Sequence, residues 1–409
     1  MSVQEGERLQ ALEGLRGVAA IIVVLFHGLS MFYPSLVYGT TLGMSALHHS
    51  RIEDVMYGNP LSVFTSGAFA VAIFFVLSGF VLSTGYFNGK GDGLVMRIAG
   101  KRYLRLMLPA FSSIVITFLV VGFGLSWLKN DTATITGSLW LAHLWPQTVS
   151  IEQVFSEGLW NIFFGTLGAE AYNPVLWTMR YELLGSLLVF AVILLFGKAK
   201  NRWAIYSLLI FATFQTWYLA FVTGMILADL YSHKKFPFVE TKAQGWLVLI
   251  LLIGLFLGGY PYSIPEGSIY AALQIPWLSV GANQIMYLSL GATAVLIAVI
   301  SLRRVSSFFA SKRIYILGKY SFSIYLVHMA VLFTVAAGVF LLLHSHMYYG
   351  LAVALALLAA CIVLVPAVYI FERYVDTPSI RVSGLFANWL FGEAVASKNT
   401  SLNKKDKSL

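Results

Sequence analysis

The chain is short of charge and of cysteine, and each shortage excludes whole classes of protein. Only 11% of its 409 residues are charged, against about 25% in an average soluble domain. Hydrophobic residues make up 58% and the mean hydropathy is positive. No soluble core hides that much apolar side chain, which leaves a polytopic membrane protein. A single cysteine, Cys361, rules out an intramolecular disulfide. Acidic residues are also few: 18 Asp and Glu against 27 Lys and Arg leave a net charge of +9. That excess does not point to nucleic acid, because the basic residues are scattered over short loops, as the positive-inside rule describes. The opening "MSVQEGERLQALEG" lacks the basic stretch and short apolar core of a signal peptide, so the first helix is expected to be retained. No internal repeat and no second soluble domain are visible.

What is present is a series of apolar runs near the roughly 20 residues a span requires. They lie near 12–33, 61–86, 106–128, 174–197, 246–260, 285–302, 316–343 and 349–371. The stretch 203–231 reads as one long helix or as two short ones joined near "TFQTW". Loop charge decides between them. With a cytoplasmic N-terminus and a short helical hairpin at 203–231, every basic loop falls on the cytoplasmic side. All Lys and Arg except Arg51, Lys129 and Arg180 are then cytoplasmic or at that interface, 27 − 3 = 24. The expectation is an all-α polytopic membrane protein of about ten transmembrane helices with both termini cytoplasmic. Residues 1–11 form a cytoplasmic N-terminus, 12–378 the membrane domain, and 379–409 a cytoplasmic tail whose polar end "SKNTSLNKKDKSL" has the composition of a disordered segment. Two aromatic-rich segments, 129–173 and 261–284, fall outside. They are either interfacial anchors or an outer vestibule.

Ionisable residues inside the apolar runs are the functional candidates. In "LEGLRGVAAIIVVLFHG", Arg16 and His27 are eleven positions apart, which puts them on one helix face about 16 Å from each other. Taken singly, Arg16 also fits a snorkelling anchor and His27 a helix–helix hydrogen bond. Counting residues from the span ends places Glu182 and His328 at a depth similar to His27, so the three read as one acid–base layer. Below it lie Arg16, Lys101, Arg102, Arg105 and the basic loops at 303–304 and 311–313. A cationic mouth beneath a buried acid–base layer suits coenzyme A, with phosphates at one end and a thioester at the tip of a thin arm. Positive-inside topology alone explains the loop charges equally well. Ser78 in "LSGF" is weighted towards close helix packing rather than nucleophilic attack. His48–His49 and His344/His346 do not converge on one face, so no metal site is expected. Tyr325, one turn from His328, bonds within the site or packs beside it.

Five segments, in order, resemble the membrane-bound acyltransferase family 3, which includes bacterial O-antigen and exopolysaccharide O-acetyltransferases. They are Arg16-x10-His27, "FFVLSGFVLS" (74–83), "KRYLRLMLP" (101–109), "NPVLWTMRYELL" and "LGKYSFSIYLVH". The resemblance runs from about residue 9 to 378. It implies a membrane-embedded transfer of an acyl group, usually acetyl, from acyl-CoA as co-substrate to a hydroxyl of a surface or lipid-linked carbohydrate in the bacterial inner membrane. His27 would be the essential histidine, Arg16 would support the donor or the histidine, and Arg102 and Arg105 would hold CoA phosphates. The closing "FERYVDTP" departs from the family's more compact Glu-Arg-Pro ending, which leaves Glu372 as a cap or ion-pair residue. Arg180 either pairs with an outer acid or contacts an anionic acceptor. In the expected mechanism His27 is the general base, Glu182 orients it, and His328 donates to the oxyanion or binds the acceptor. The rival class is a proton-coupled transporter or exporter using His27 and Glu182 as a relay. It has no repeated halves or paired broken helices to support it.

Overall fold

The computed structural model describes residues 3–39, 47, 49–146, 148–168, 170–233 and 244–392. The described residues are helical, with no strand among them. The principal helices are α1 (Val3–Phe32), α2 (Gly67–Gly85), α3 (Asp92–Gly122), α4 (Thr178–Phe196), α5 (Arg202–Thr213), α6 (Tyr218–Ser232), α7 (Gln244–Gly258), α8 (Val280–Ser301), α9 (Lys312–Val331), α10 (Tyr349–Phe371) and α11 (Thr377–Phe391). Seven helical stretches among the described residues are long and apolar enough to cross a membrane, and α5, α6 and α7 are shorter apolar helices. The stretch 203–231 is two helices. The Arg202 guanidinium at the start of α5 grips Asp229 near the end of α6 with bonds of 2.6 and 2.9 Å, and the Tyr206 hydroxyl adds a third at 3.1 Å. Contact between the start of one helix and the end of the next makes the pair an antiparallel hairpin.

Small residues set the closest helix crossings, as expected where lipid removes the hydrophobic drive between helices. α1 crosses α9 where Gly17 meets Gly318. A Cβ on Gly17 would fall on the backbone of Gly318, and one on Gly318 would fall on the Glu13 carbonyl. α2 crosses α6 in the same way. A Cβ on Gly79 would strike the Phe221 carbonyl, and one on Gly224 the Val76 carbonyl. The glycine of "LSGF" is therefore a packing residue, while the serine beside it turns the other way, into a cavity.

Two segments are packed into the bundle more than the sequence suggests. The aromatic segment after α3 folds back into the bundle through short helices at Ser126–Thr136 and Leu139–Ala142. Its last residue before α4's leading turn, Asn173, is 1% exposed and bonds Ser113 Oγ and the Leu326 carbonyl of α9. The expected boundary at 378 falls inside helix: α10 runs through a π-helical turn at Glu372–Asp376 into α11, which packs along α3. The polar end "SKNTSLNKKDKSL" lies outside the described residues.

Candidate active site

α1 and α9 share one of the most extensive helix interfaces of the bundle, and it joins two of the expected site residues. His328 is fully buried. Its Nε2 lies 3.0 Å from His27 Nδ1, and its Nδ1 lies 3.0 Å from the Ile324 carbonyl one turn back. A carbonyl only accepts, so Nδ1 of His328 carries the proton and Nε2 of the neutral ring is an acceptor. His27 then donates from Nδ1 to that acceptor, which leaves its own Nε2 unprotonated and outside the bond between the two rings. A histidine whose second nitrogen is oriented by a buried acceptor is the arrangement a general base needs.

This geometry gives two of the expected site residues other partners than the expected mechanism does. His328 was expected to donate to an oxyanion or to the acceptor; in the structure its nitrogens lie against the Ile324 carbonyl and His27 Nδ1. Glu182 was expected to orient His27. Its carboxylate instead accepts from Arg102 Nη2 at 2.6 Å and from Ser78 Oγ at 2.8 Å. Arg102 Nε also reaches Ser186 Oγ at 2.9 Å. The reason lies in where α4 begins. Thr178 bonds the Tyr325 hydroxyl at 2.8 Å, so the helix starts inside the bundle, one turn below His328. Glu182 is a turn further on, roughly 10 Å from the histidine layer along the helix axes. Tyr325 itself bonds the Val175 carbonyl at 2.7 Å, which fixes it as the floor beneath His328.

On the Arg102 side of that floor is a cavity of about 500 Å³, lined by α1, α2, α3, α4, α9 and the α10–α11 turn. It contains all three expected donor-binding arginines. The cationic mouth is, however, charge-balanced. Arg16 pairs with Glu13 at 2.9 Å, Arg102 with Glu182 at 2.6 Å, Arg105 with Asp376 at 2.6 Å and Lys319 with Glu372 at 3.5 Å. Four cations meet four carboxylates, all of them lining the cavity. The π-helical turn supplies Glu372 and Asp376, which sequence reasoning did not place here. Turns of this type recur at functional sites. Phe74, Phe75, Phe322 and Leu106 form apolar wall between the charged pairs, and Arg105 also lies over the Phe322 ring at 5.2 Å.

Trp140 was missed as an individual residue. The short helix Leu139–Ala142 places its indole stacked on His27, centroids 5.6 Å apart and planes at 21°. Ser138 starts this helix with bonds to Leu141 N and to the Ser30 carbonyl of α1. The ammonium of Lys129, 1% exposed, closes it by donating to the Leu141 and Ala142 carbonyls at 3.3 and 3.4 Å. Burial lowers this lysine to about 8. The signal in the sequence was a lone lysine beside an aromatic cluster. Trp140→Ala is expected to speed modification of His27 by diethylpyrocarbonate, with Trp140→Phe restoring protection. The stacking contribution corresponds to about a tenfold change at most. An unchanged modification rate would remove the indole as a cover.

The remaining candidates are structural. Arg180 is exposed and donates to the Gly165 carbonyl at 3.2 Å. His49 bonds the Thr136 carbonyl and stacks on Tyr349, while His48 lies outside the described residues. No cluster able to hold a metal occurs among the described residues.

A helical membrane protein with an oriented histidine pair above a charged cavity defines a class, and comparison with known proteins gives the family. The model of the acyltransferase domain matches residues 9–371, and the chain belongs to this acyltransferase 3 family. It is also similar to the acyltransferase clz18 of Cochliobolus lunatus, 23% identical over 90% of this chain and 93% of that protein. No solved structure gives a significant match.

Proposed function

We propose that the protein moves an acyl group, usually acetyl in its family, from cytoplasmic acyl-CoA to a hydroxyl of a surface or lipid-linked carbohydrate, with His27 as general base. The observation that carries this reading is the His27–His328 pair: His328 Nε2 is used up accepting from His27, which leaves His27 Nε2 as the unprotonated nitrogen outside that bond. That nitrogen takes the acceptor proton as its oxygen attacks the thioester carbonyl, and the thiolate of CoA leaves. The imidazolium formed is stabilised through Nδ1–H by His328. The acyl-CoA phosphates compete with Glu13, Glu182, Asp376 and Glu372 for Arg16, Arg102, Arg105 and Lys319, and these carboxylates hold the cations in place before the donor arrives. Family membership favours transfer over proton-coupled transport. The test is CoA release by the purified protein in bilayers from labelled acetyl-CoA, with label recovered on an acceptor. Proton-coupled flux without CoA release would reverse the choice.

In this reading the Arg102 end of the bundle is cytoplasmic, ten helices cross or enter the membrane of the cell, the inner one in a bacterium, and both termini are inside. Single cysteines in a Cys361→Ala background give the measurement. Gly91→Cys and Ser311→Cys are expected to react with an impermeant reagent only from the cytoplasmic side, and Thr148→Cys only from the other. Reaction of Ser311→Cys from outside would break the orientation.

A further inference from the structure

The geometry points to a second ligand site on the far side of the histidine pair: an acceptor subsite for an uncharged, hydroxyl-bearing ring compound. It rests on the acyl-transfer reading for the word acceptor, but its evidence is separate. A cavity of about 440 Å³ lies there. Two helices run from one cavity to the other. α1 gives Glu13 and Arg16 to the first and Phe26 to the second, while α2 gives Val71 and Ser78 to the first and Ser66 and Ala68, at its start, to the second. The histidine pair sits between them, one ring from each. The Phe26 centroid is 4.9 Å from His27 and the Tyr325 centroid 6.0 Å from His328. The second cavity therefore lies on the His27 side of the pair, with the Phe26 ring between it and the base.

Its chemistry contrasts with the first. Eight charged side chains line the donor cavity, whereas none of the described residues lining the second is charged. An ion entering it would lose hydration without gaining a counter-charge. Tyr38, Tyr57, Tyr260 and Tyr262 supply aromatic faces and Gln284 a donor and an acceptor. Tyr260 gives the most specific sign. It is 2% exposed, and its hydroxyl has no hydrogen-bond partner among the described residues. The Tyr57 hydroxyl, by contrast, is taken by the Ser263 carbonyl at 2.8 Å. Buried polar atoms are normally bonded, and a site with a waiting hydroxyl selects ligands that can meet it.

The experiment uses the full chain in phospholipid vesicles free of glycoside detergent. Ala68→Cys in a Cys361→Ser background places a thiol in the cavity, with Val37→Cys as a second placement. The rate of alkylation by N-ethylmaleimide is measured with phenyl β-glucoside or phenyl β-glucuronide, two probes that differ by one carboxylate. The glucoside is expected to protect the thiol and the glucuronide is not. Tyr260→Phe, which removes only the hydroxyl, is expected to raise the glucoside concentration needed by about three- to tenfold. Equal protection by the glucuronide, no protection by the glucoside at either thiol, or an unchanged Tyr260→Phe would overturn the site. CoA release from acetyl-CoA is followed separately. Protection without CoA release removes the acyl-transfer reading and leaves an uncharged-ligand site, whereas CoA release without protection keeps the reading and removes this site.

Discussion

His27→Gln is expected to be nearly as inactive as His27→Ala. Glutamine keeps similar bulk and a donor within reach of His328 Nε2, so it preserves a hydrogen bond between α1 and α9. It cannot take a proton. If His27 serves only to join the helices, glutamine restores function. If Nε2 is the base, both variants lose roughly 10²–10⁴-fold in turnover. Acyl-CoA affinity is expected to survive both changes, because the arginines of the donor cavity lie on the other side of Tyr325. The measurement is transfer in proteoliposomes, with thermal stability as the control for folding. His328→Leu makes the companion test. It removes the acceptor that fixes the His27 tautomer, so it lowers turnover while leaving the base in place. Near-normal turnover of His27→Gln would take His27 out of the chemistry.

The second large effect concerns the Arg102–Glu182 pair, whose side chains are 17% and 14% exposed. Removing one member leaves the other charge buried with only a serine hydroxyl for company. For Glu182→Leu that remaining partner of Arg102 is Ser186. Such a change costs about 3–5 kcal/mol, whereas replacing both members by apolar residues is often neutral. Glu182→Leu is therefore expected to unfold at markedly lower temperature in detergent, and Arg102→Met with Glu182→Leu to recover most of that loss. The double variant is still expected to bind acyl-CoA poorly, because the cation is gone. Recovery of stability together with normal donor affinity would make the pair a structural tie and move the phosphate contacts to Arg16, Arg105 and Lys319.

Much of this was legible in the sequence because the membrane imposes simple rules. Scarcity of charge set the class, and apolar runs of about 20 residues set the helices. Helical periodicity placed Arg16 and His27 on one face, and the asymmetry of Lys and Arg correctly favoured two short helices over one between 203 and 231. The five family-like segments lie within the match to the acyltransferase domain, and the "FERYVDTP" close falls beyond it except for Phe371. Depth was less legible. Counting from the end of a span assumes that the span begins at the membrane edge, and α4 begins inside the bundle against Leu326 and Tyr325. That single displacement moved Glu182 away from His27 and into the cavity lined by Arg16, Arg102 and Arg105.

The sequence by itself determined the helices, the membrane setting and the residue types available for chemistry, since local period and hydropathy govern those. The partners were decided only by tertiary structure. His328 lies 301 residues from His27, Glu182 lies 80 from Arg102 and Asp376 lies 271 from Arg105. No local pattern encodes such pairings. They follow from close helix crossings at Gly17–Gly318 and Gly79–Gly224, from the fold-back of the aromatic segment that brings Trp140 onto His27, and from the π-helical turn that carries two carboxylates into the cavity. A basic stretch in a sequence reports charge. Whether that charge is free or already paired depends on which distant carboxylates the packing brings within about 3 Å.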